Sequence, residues 1–246
     1  MNFLLTNDDG WGAPGLRLLE KVARQMGNVW TVAPAAPMSG ISHQLTFEDP
    51  MTMVAHGDQS YSLTGTPADC TRIGLTQLNV EFDAVISGIN NGANLGADIY
   101  VSGTVAAARE AWLMGVNGWA ISQHRLNMAG DFDWDSSAKL SVRVLERLLK
   151  NHTQTTRSSS GESDGSSDSR PELININLPD HSNTIEKDQS VSIVECKMDP
   201  NGLPVGYIKD DQGRFIYTAV YNDRKRVAGH DIETCFGGDV AMCKIG

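Results

Sequence analysis

Asn2-Phe3-Leu4-Leu5-Thr6-Asn7-Asp8-Asp9-Gly10 decides how this chain is read. Phe3-Leu4-Leu5 is an unbroken apolar run, which suits a short strand buried on both faces, as in a parallel sheet. Two adjacent carboxylates and a glycine follow at once. Neighbouring acids at the end of a core strand repel each other. Desolvating them is costly unless a cation or hydrogen-bond donors compensate. Oxygen-rich groups of this kind suit one hard divalent cation, Mg²⁺ or Mn²⁺. Alone, the segment reads equally well as an Asp-Gly turn with a helix N-cap.

Outward from that segment, strand-like and helix-like stretches alternate. After Pro14 and Gly15, apolar residues from Leu16 to Met26 recur at helical spacing, and Val29 to Ala33 reads as a second strand. Pro67 to Leu78 reads as a helix capped by Thr66, Ala84-Val85-Ile86 as a core strand, and Thr104 to Met114 as an alanine-rich helix. Trp119 to Ser122 is a further strand. Asp135 to Lys150 is a helix with Leu140, Val144, Leu145 and Leu148 on one face. This alternation predicts an α/β fold: a Rossmann-like three-layer domain with a mostly parallel sheet. Residues 158–169 hold seven serines, two glycines and three acids, too little apolar surface to order a segment. They read as a flexible insertion at about 155–170. Beyond it, Glu172 to Asn177, Val191 to Glu195, Val205 to Lys209 and Arg214 to Thr218 read as strands. The expectation is one domain over 1–246, with the Rossmann-like core at about 1–150 and a β-rich part at about 171–246.

The net charge of −10 over 246 residues argues against broad nucleic-acid binding, which wants a basic face. It leaves room for a small phosphorylated substrate, because a bound metal can reverse the local sign. No apolar run reaches the roughly 20 residues that span a bilayer, and the acidic pair arrives too early for a signal peptide. Cys70, Cys196, Cys235 and Cys243 form no CxxC pair and read as reduced thiols in a cytoplasmic protein.

Ligands of an open parallel sheet bind beyond the carboxyl ends of its strands. Three polar segments fall there: Asp8-Asp9, the loop Pro37-Met38-Ser39-Gly40, and the glycine- and asparagine-rich run from Ser87 to Gly96. Ser102-Gly103-Thr104 then opens the alanine-rich helix, whose free N–H groups form an anion site suited to phosphate. Plain capping by Ser102 or Thr104 explains that segment if it stands alone. His43 and His124 read as polar loop groups rather than catalytic acids, and Cys70 as a buried small apolar group.

These same segments carry a resemblance. Asn7-Asp8-Asp9-Gly10 with Ala13-Pro14-Gly15, Val32-Ala33-Pro34, Ser39-Gly40 and Leu45-Thr46 resemble the SurE family. So do Thr64-Gly65-Thr66-Pro67-Ala68-Asp69-Cys70, Ser87-Gly88-Ile89-Asn90 with Gly92, Asn94, Leu95 and Gly96, and Ser102-Gly103-Thr104-Val105-Ala106-Ala107-Ala108. The resemblance implies a metal-dependent phosphatase acting on nucleoside monophosphates, 5′ and often 3′, with some members trimming short polyphosphate. It implies Asp8, Asp9, Ser39 and Asn90 as metal ligands and Asn94, Ser102, Gly103 and Thr104 as phosphate contacts. Asp8 and Asp9 are the catalytic candidates, Asp8 being favoured to activate water. A homodimer or homotetramer with exchanged C-terminal elements is also implied. The chain departs from the family pattern at Trp11-Gly12 and at Ala35-Ala36-Pro37-Met38, which lacks the charges common before the serine. Two other readings fit some of these features: a non-catalytic nucleotide-binding module, and another α/β metal-dependent hydrolase. Haloacid-dehalogenase phosphatases space their aspartates as Asp-x-Asp, and sugar deacetylases place a histidine before theirs, where Asn7 stands here.

Overall fold

The computed structural model describes residues 1–127, 132, 134–158, 170–180 and 191–246, without the side chains of 152–158. The serine-rich stretch therefore lies outside the described residues, apart from its edge at 158.

The first strand, β1 (Asn2–Thr6), lies at the centre of the sheet, hydrogen-bonded to β2 (Asn28–Pro34) on one side and β5 (Ala84–Asn91) on the other, both parallel. Its side chains alternate between faces. Phe3 and Leu5 pack on one side with Leu16 and Leu19 of α1 (Pro14–Ala23) and with Leu140, Val144 and Leu148 of α4 (Asp135–Ser158). Leu4 packs on the other side with Val32, Val85, Cys70 of α2 (Pro67–Gln77) and Ala111 of α3 (Gly103–Leu113). The three-layer arrangement expected from the alternation is thus built around one apolar tripeptide. Each such side chain contributes roughly 1.5–3 kcal/mol on burial.

The remaining strands are β3 (Met53–Ala55), β4 (Ser60–Leu63), β6 (Asn117–Gln123), β7 (Leu173–Leu178), β8 (Ile193–Glu195), β9 (Tyr207–Lys209), β10 (Phe215–Tyr217) and β11 (Val240–Lys244). Among the described residues nine strands form one sheet in the order β3-β4-β2-β1-β5-β6-β7-β11-β8. β3 on β4 and β11 on β7 are antiparallel, and the other pairs are parallel. From β1 the chain works outward through β2 to β4, then returns to place β5 on β1's other side and works outward again. The direction of winding reverses between β1 and β5, and the crevice beyond their carboxyl ends is the expected ligand site of such a sheet. The mostly parallel α/β architecture read from the sequence is present.

Several boundaries shift. β5 runs on to Asn91, with a register shift between Ser87 and Asn90. α4 runs on to Ser158 rather than stopping at Lys150. β3, β4 and α5 (Asp231–Phe236) are elements the sequence reading did not mark. α2 begins as read, with Thr66 Oγ1 accepting from the Asp69 N–H and Asp69 accepting from the Thr66 N–H, a reciprocal capping box. Among the described residues no helix is long and apolar enough to cross a membrane.

Candidate active site

Asn7 shapes the turn that ends β1. Its amide side chain donates to Gly10 O at 3.0 Å and accepts from Gly10 N at 3.2 Å. Gly10 lies at φ +97°, a conformation that favours glycine. The turn delivers Asp8, buried at 6% exposure, and the less buried Asp9 to the carboxyl end of the sheet. The loop carrying Ser39 folds back over this turn, because Met38 N donates to Asp8 O at 2.8 Å. Ser39 itself is exposed.

The helix N-terminus comes from the opposite side. Thr104 Oγ1 donates to Asp8 Oδ1 at 2.5 Å. At Gly103 any side chain would collide with Asp8: an added Cβ would sit 2.8 Å from Asp8 Cβ and 3.1 Å from Oδ2. The first peptide of α3 therefore rests against the carboxylate. Ser102 is the N-cap, its Oγ accepting from Val105 N at 3.1 Å. On the β5 side, Asn91 N donates to Asp9 Oδ2 at 3.1 Å. Asn90 Nδ2 donates to Gly92 O at 2.8 Å, which fixes the amide with Oδ1 as its acceptor end. Asn94 is held among sheet residues rather than against the acids: Nδ2 donates to Ser122 Oγ, and its N–H donates to Asn177 Oδ1, both at 2.8 Å.

Burial pushes the Asp8 carboxyl up to about 6; Asp9 adds to this rise, and the Thr104 hydroxyl opposes it. Burial also raises Asp9, against the Asn91 N–H. Among the described residues no lysine, arginine or histidine pairs with either acid. Nor does any group of three or more His, Cys, Asp and Glu gather to hold a metal there. The two carboxylates lie at this corner, with Asn90 next to the residue that bonds Asp9 and Ser39 next to the residue that bonds Asp8, and oxygen donors of this kind suit a hard divalent cation.

Two residues here were not singled out from the sequence. Asn91 links Asp9 to Arg125, whose Nη1 donates to Asn91 Oδ1 at 3.0 Å. Arg125 lies two residues past the end of β6 at the same edge of the sheet, and that position was the available signal. Thr104 touches Asp8 rather than standing only as a phosphate contact. Trp11, a departure from the family pattern, braces the turn: Nε1 donates to Ser60 Oγ at 3.0 Å, the ring stacks on His56, and Arg17 lies over it. His43 is engaged by Glu110 at 2.8 Å. A cavity of about 390 Å³ lined by Gly92, Ala93, His124, Arg125, Leu126 and Tyr221 adjoins the Asn90–Asn91 corner.

Fold and site define a Rossmann-like α/β protein with a buried acidic pair at the switch point of its sheet. The profile of the family described as survival protein SurE matches residues 3–199, and the chain belongs to that family. The alr3139 protein of Nostoc sp. is 37% identical over 245 residues, covering 100% of this chain and 99% of its own length. The 5′-nucleotidase SurE of Methylobacterium nodulans is 32% identical, covering 87% of this chain and 85% of its own. The crystal structure of the SurE protein from Aquifex aeolicus superposes with a TM-score of 0.78 at 27% identity, covering 100% of this chain and 93% of that one.

Proposed function

We propose that this chain hydrolyses nucleoside monophosphates to nucleoside and phosphate as a metal-dependent 5′-nucleotidase, with 3′-monophosphates and short polyphosphate within its range. The observation that carries the reading is an acidic pair, Asp8 buried and Asp9 partly so, with no cationic partner among the described residues and set against the first peptide of a helix. An uncompensated buried carboxylate is costly, and a hard cation offsets that cost. Relatives named 5′-nucleotidase SurE support the substrate class. The 390 Å³ cavity beside Gly92 supports a nucleoside as the leaving group.

Asp8, Asp9, Ser39 and Asn90 would hold the cation. A divalent cation held there would supply positive charge to offset that of the phosphoryl group and would make water easier to deprotonate. Thr104 fixes Asp8 through Oδ1, so Oδ2 is the atom that orients water and takes its proton. Water attacks phosphorus directly, with no phosphoaspartate. The N–H groups of Gly103 and Thr104 receive equatorial oxygens as charge builds, with the Ser102 cap holding the helix start in place. The Asn94 side chain, braced by Ser122, supplies a further donor to the phosphate.

The free thiols support a reducing, cytoplasmic setting. A two-stranded arm, β9–β10, carries exposed Tyr207, Ile208, Phe215, Ile216 and Tyr217, which supports a homodimer or homotetramer. The test is phosphate release from a panel of 5′- and 3′-nucleoside monophosphates with Mg²⁺, with Mn²⁺ and with EDTA. Metal-dependent release, abolished by chelation, is expected. Tight nucleotide binding without release under any metal would overturn the enzyme reading in favour of a binding module.

A further inference from the structure

Two of the four cysteines, 47 positions apart in the chain, meet in the fold. β8 and β11 are parallel neighbours with Met242 opposite Glu195, and one further step sets Cys243 opposite Cys196. The two sulfurs lie 3.2 Å apart. Neighbouring strands run about 4.8 Å apart, and disulfides join Cα atoms roughly 4.4–6.8 Å apart, so a bond here needs no change of fold.

The two thiols differ in environment. Cys243 is buried, whereas Cys196 is partly exposed and lines a cavity of about 730 Å³ with Lys197, Met198, His230, Met242 and Lys244. This cavity lies away from the acidic pair. The hydrogen bond between the two sulfurs lowers Cys196 and raises Cys243, so the reachable sulfur is the one of the pair that ionises more readily. Burial raises the remaining two, Cys70 and Cys235. One accessible, more readily ionised sulfur with a second thiol 3.2 Å from it is the arrangement of a reacting and a resolving cysteine.

We propose that Cys196 and Cys243 form a reversible dithiol–disulfide site oxidised by small peroxides that enter this cavity. The Cys196 thiolate attacks one peroxide oxygen, breaks the O–O bond and becomes a sulfenic acid, releasing hydroxide. Cys243 sulfur then attacks Cys196 sulfur, the S–OH bond breaks, and the Cys243 proton leaves with that hydroxyl as water. Two electrons pass from the sulfur pair to the peroxide, and a dithiol reductant reverses the step.

The test uses the full chain in its folded state. The protein is treated with a small molar excess of hydrogen peroxide, quenched, unfolded and titrated for thiols. Peptide mapping without reduction follows, with fragmentation to separate Cys243 from Cys235 on the same tryptic peptide. The expected result is a fall from four thiols to two, a Cys196–Cys243 cross-link and full recovery with dithiothreitol. In C243S the sulfenic acid on Cys196 should persist and be trapped by dimedone. Wild-type mapping alone decides the matter if that variant does not fold. Sulfonic acid on Cys196 without a cross-link, faster oxidation of Cys70 or Cys235, or no oxidation until the protein is unfolded would each overturn the proposal.

Discussion

Asp8 is held against the interest of the metal-free fold. Its carboxyl has an ordinary value of 3.8 and is pushed up to about 6, chiefly by burial. A shift of that size costs on the order of 3 kcal/mol at neutral pH, since each unit is about 1.4 kcal/mol. The sign follows from the raised value. The folded protein favours the neutral acid, so its stability is complete below about pH 4 and is lost as pH rises through about 6. In metal-free protein, Asp8→Asn should therefore raise stability at pH 7, by up to about 3 kcal/mol, with little gain at pH 3.5. Urea denaturation at the two pH values checks this. Saturating Mn²⁺ should shrink or reverse the gain, because only the wild type binds the ion fully. An absence of gain at pH 7 in the chelated protein would mean that Asp8 is not strained. The acidic pair stood out in the sequence because two adjacent acids at the end of a core strand are costly to desolvate, although an Asp-Gly turn alone would also account for them. The Thr104 and Asn91 hydrogen bonds were not legible, because they join residues 96 and 82 positions apart.

At the scale of elements, what the sequence shows is what is local. β1 is visible as an apolar run, α2 as a helix opened by Pro67 and capped by Thr66, and α1 and α4 as faces of recurring leucine and valine. β3 has three residues and β4 four, too few for an apolar period to repeat. α5 has only six residues, too few for helical spacing to repeat. The lock between the short turn at Gly96–Tyr100 and the segment after β10 is equally invisible. Arg224 there grips Asp98 with both ends of its guanidinium, at 2.7 and 3.0 Å, and Tyr221 donates to the same carboxylate. Both partners of this ion pair are buried. Removing one charge strands the other, so Arg224→Ala should cost about 3–5 kcal/mol in urea denaturation. A loss below about 1 kcal/mol, the worth of a surface pair, would show that water reaches the site.

At the scale of the whole molecule, the reversal of winding between β1 and β5 explains why the acids and the asparagine loop share one crevice although more than 80 residues separate them. The rule that ligands sit beyond the carboxyl ends of parallel strands made that meeting readable from the order of segments in the sequence. The β9–β10 arm pairs with no other strand among the described residues and shows Phe215 at 70% exposure. If it is an assembly surface, the wild type should sediment as a dimer or tetramer, and Ile208→Asp with Phe215→Asp should sediment as a monomer. An unchanged sedimentation profile would remove the arm from the interface.

The central claim is that the acidic pair at this switch point performs phosphate hydrolysis, and turnover by Asp8→Asn tests it most directly. Phosphate release from 5′-monophosphates should be metal-dependent in the wild type and fall by about 10²–10⁴-fold in the variant, the range for loss of a general base. Binding of the nucleotide, read by calorimetry, should persist. Full activity in Asp8→Asn, or wild-type turnover that survives EDTA, would contradict the claim.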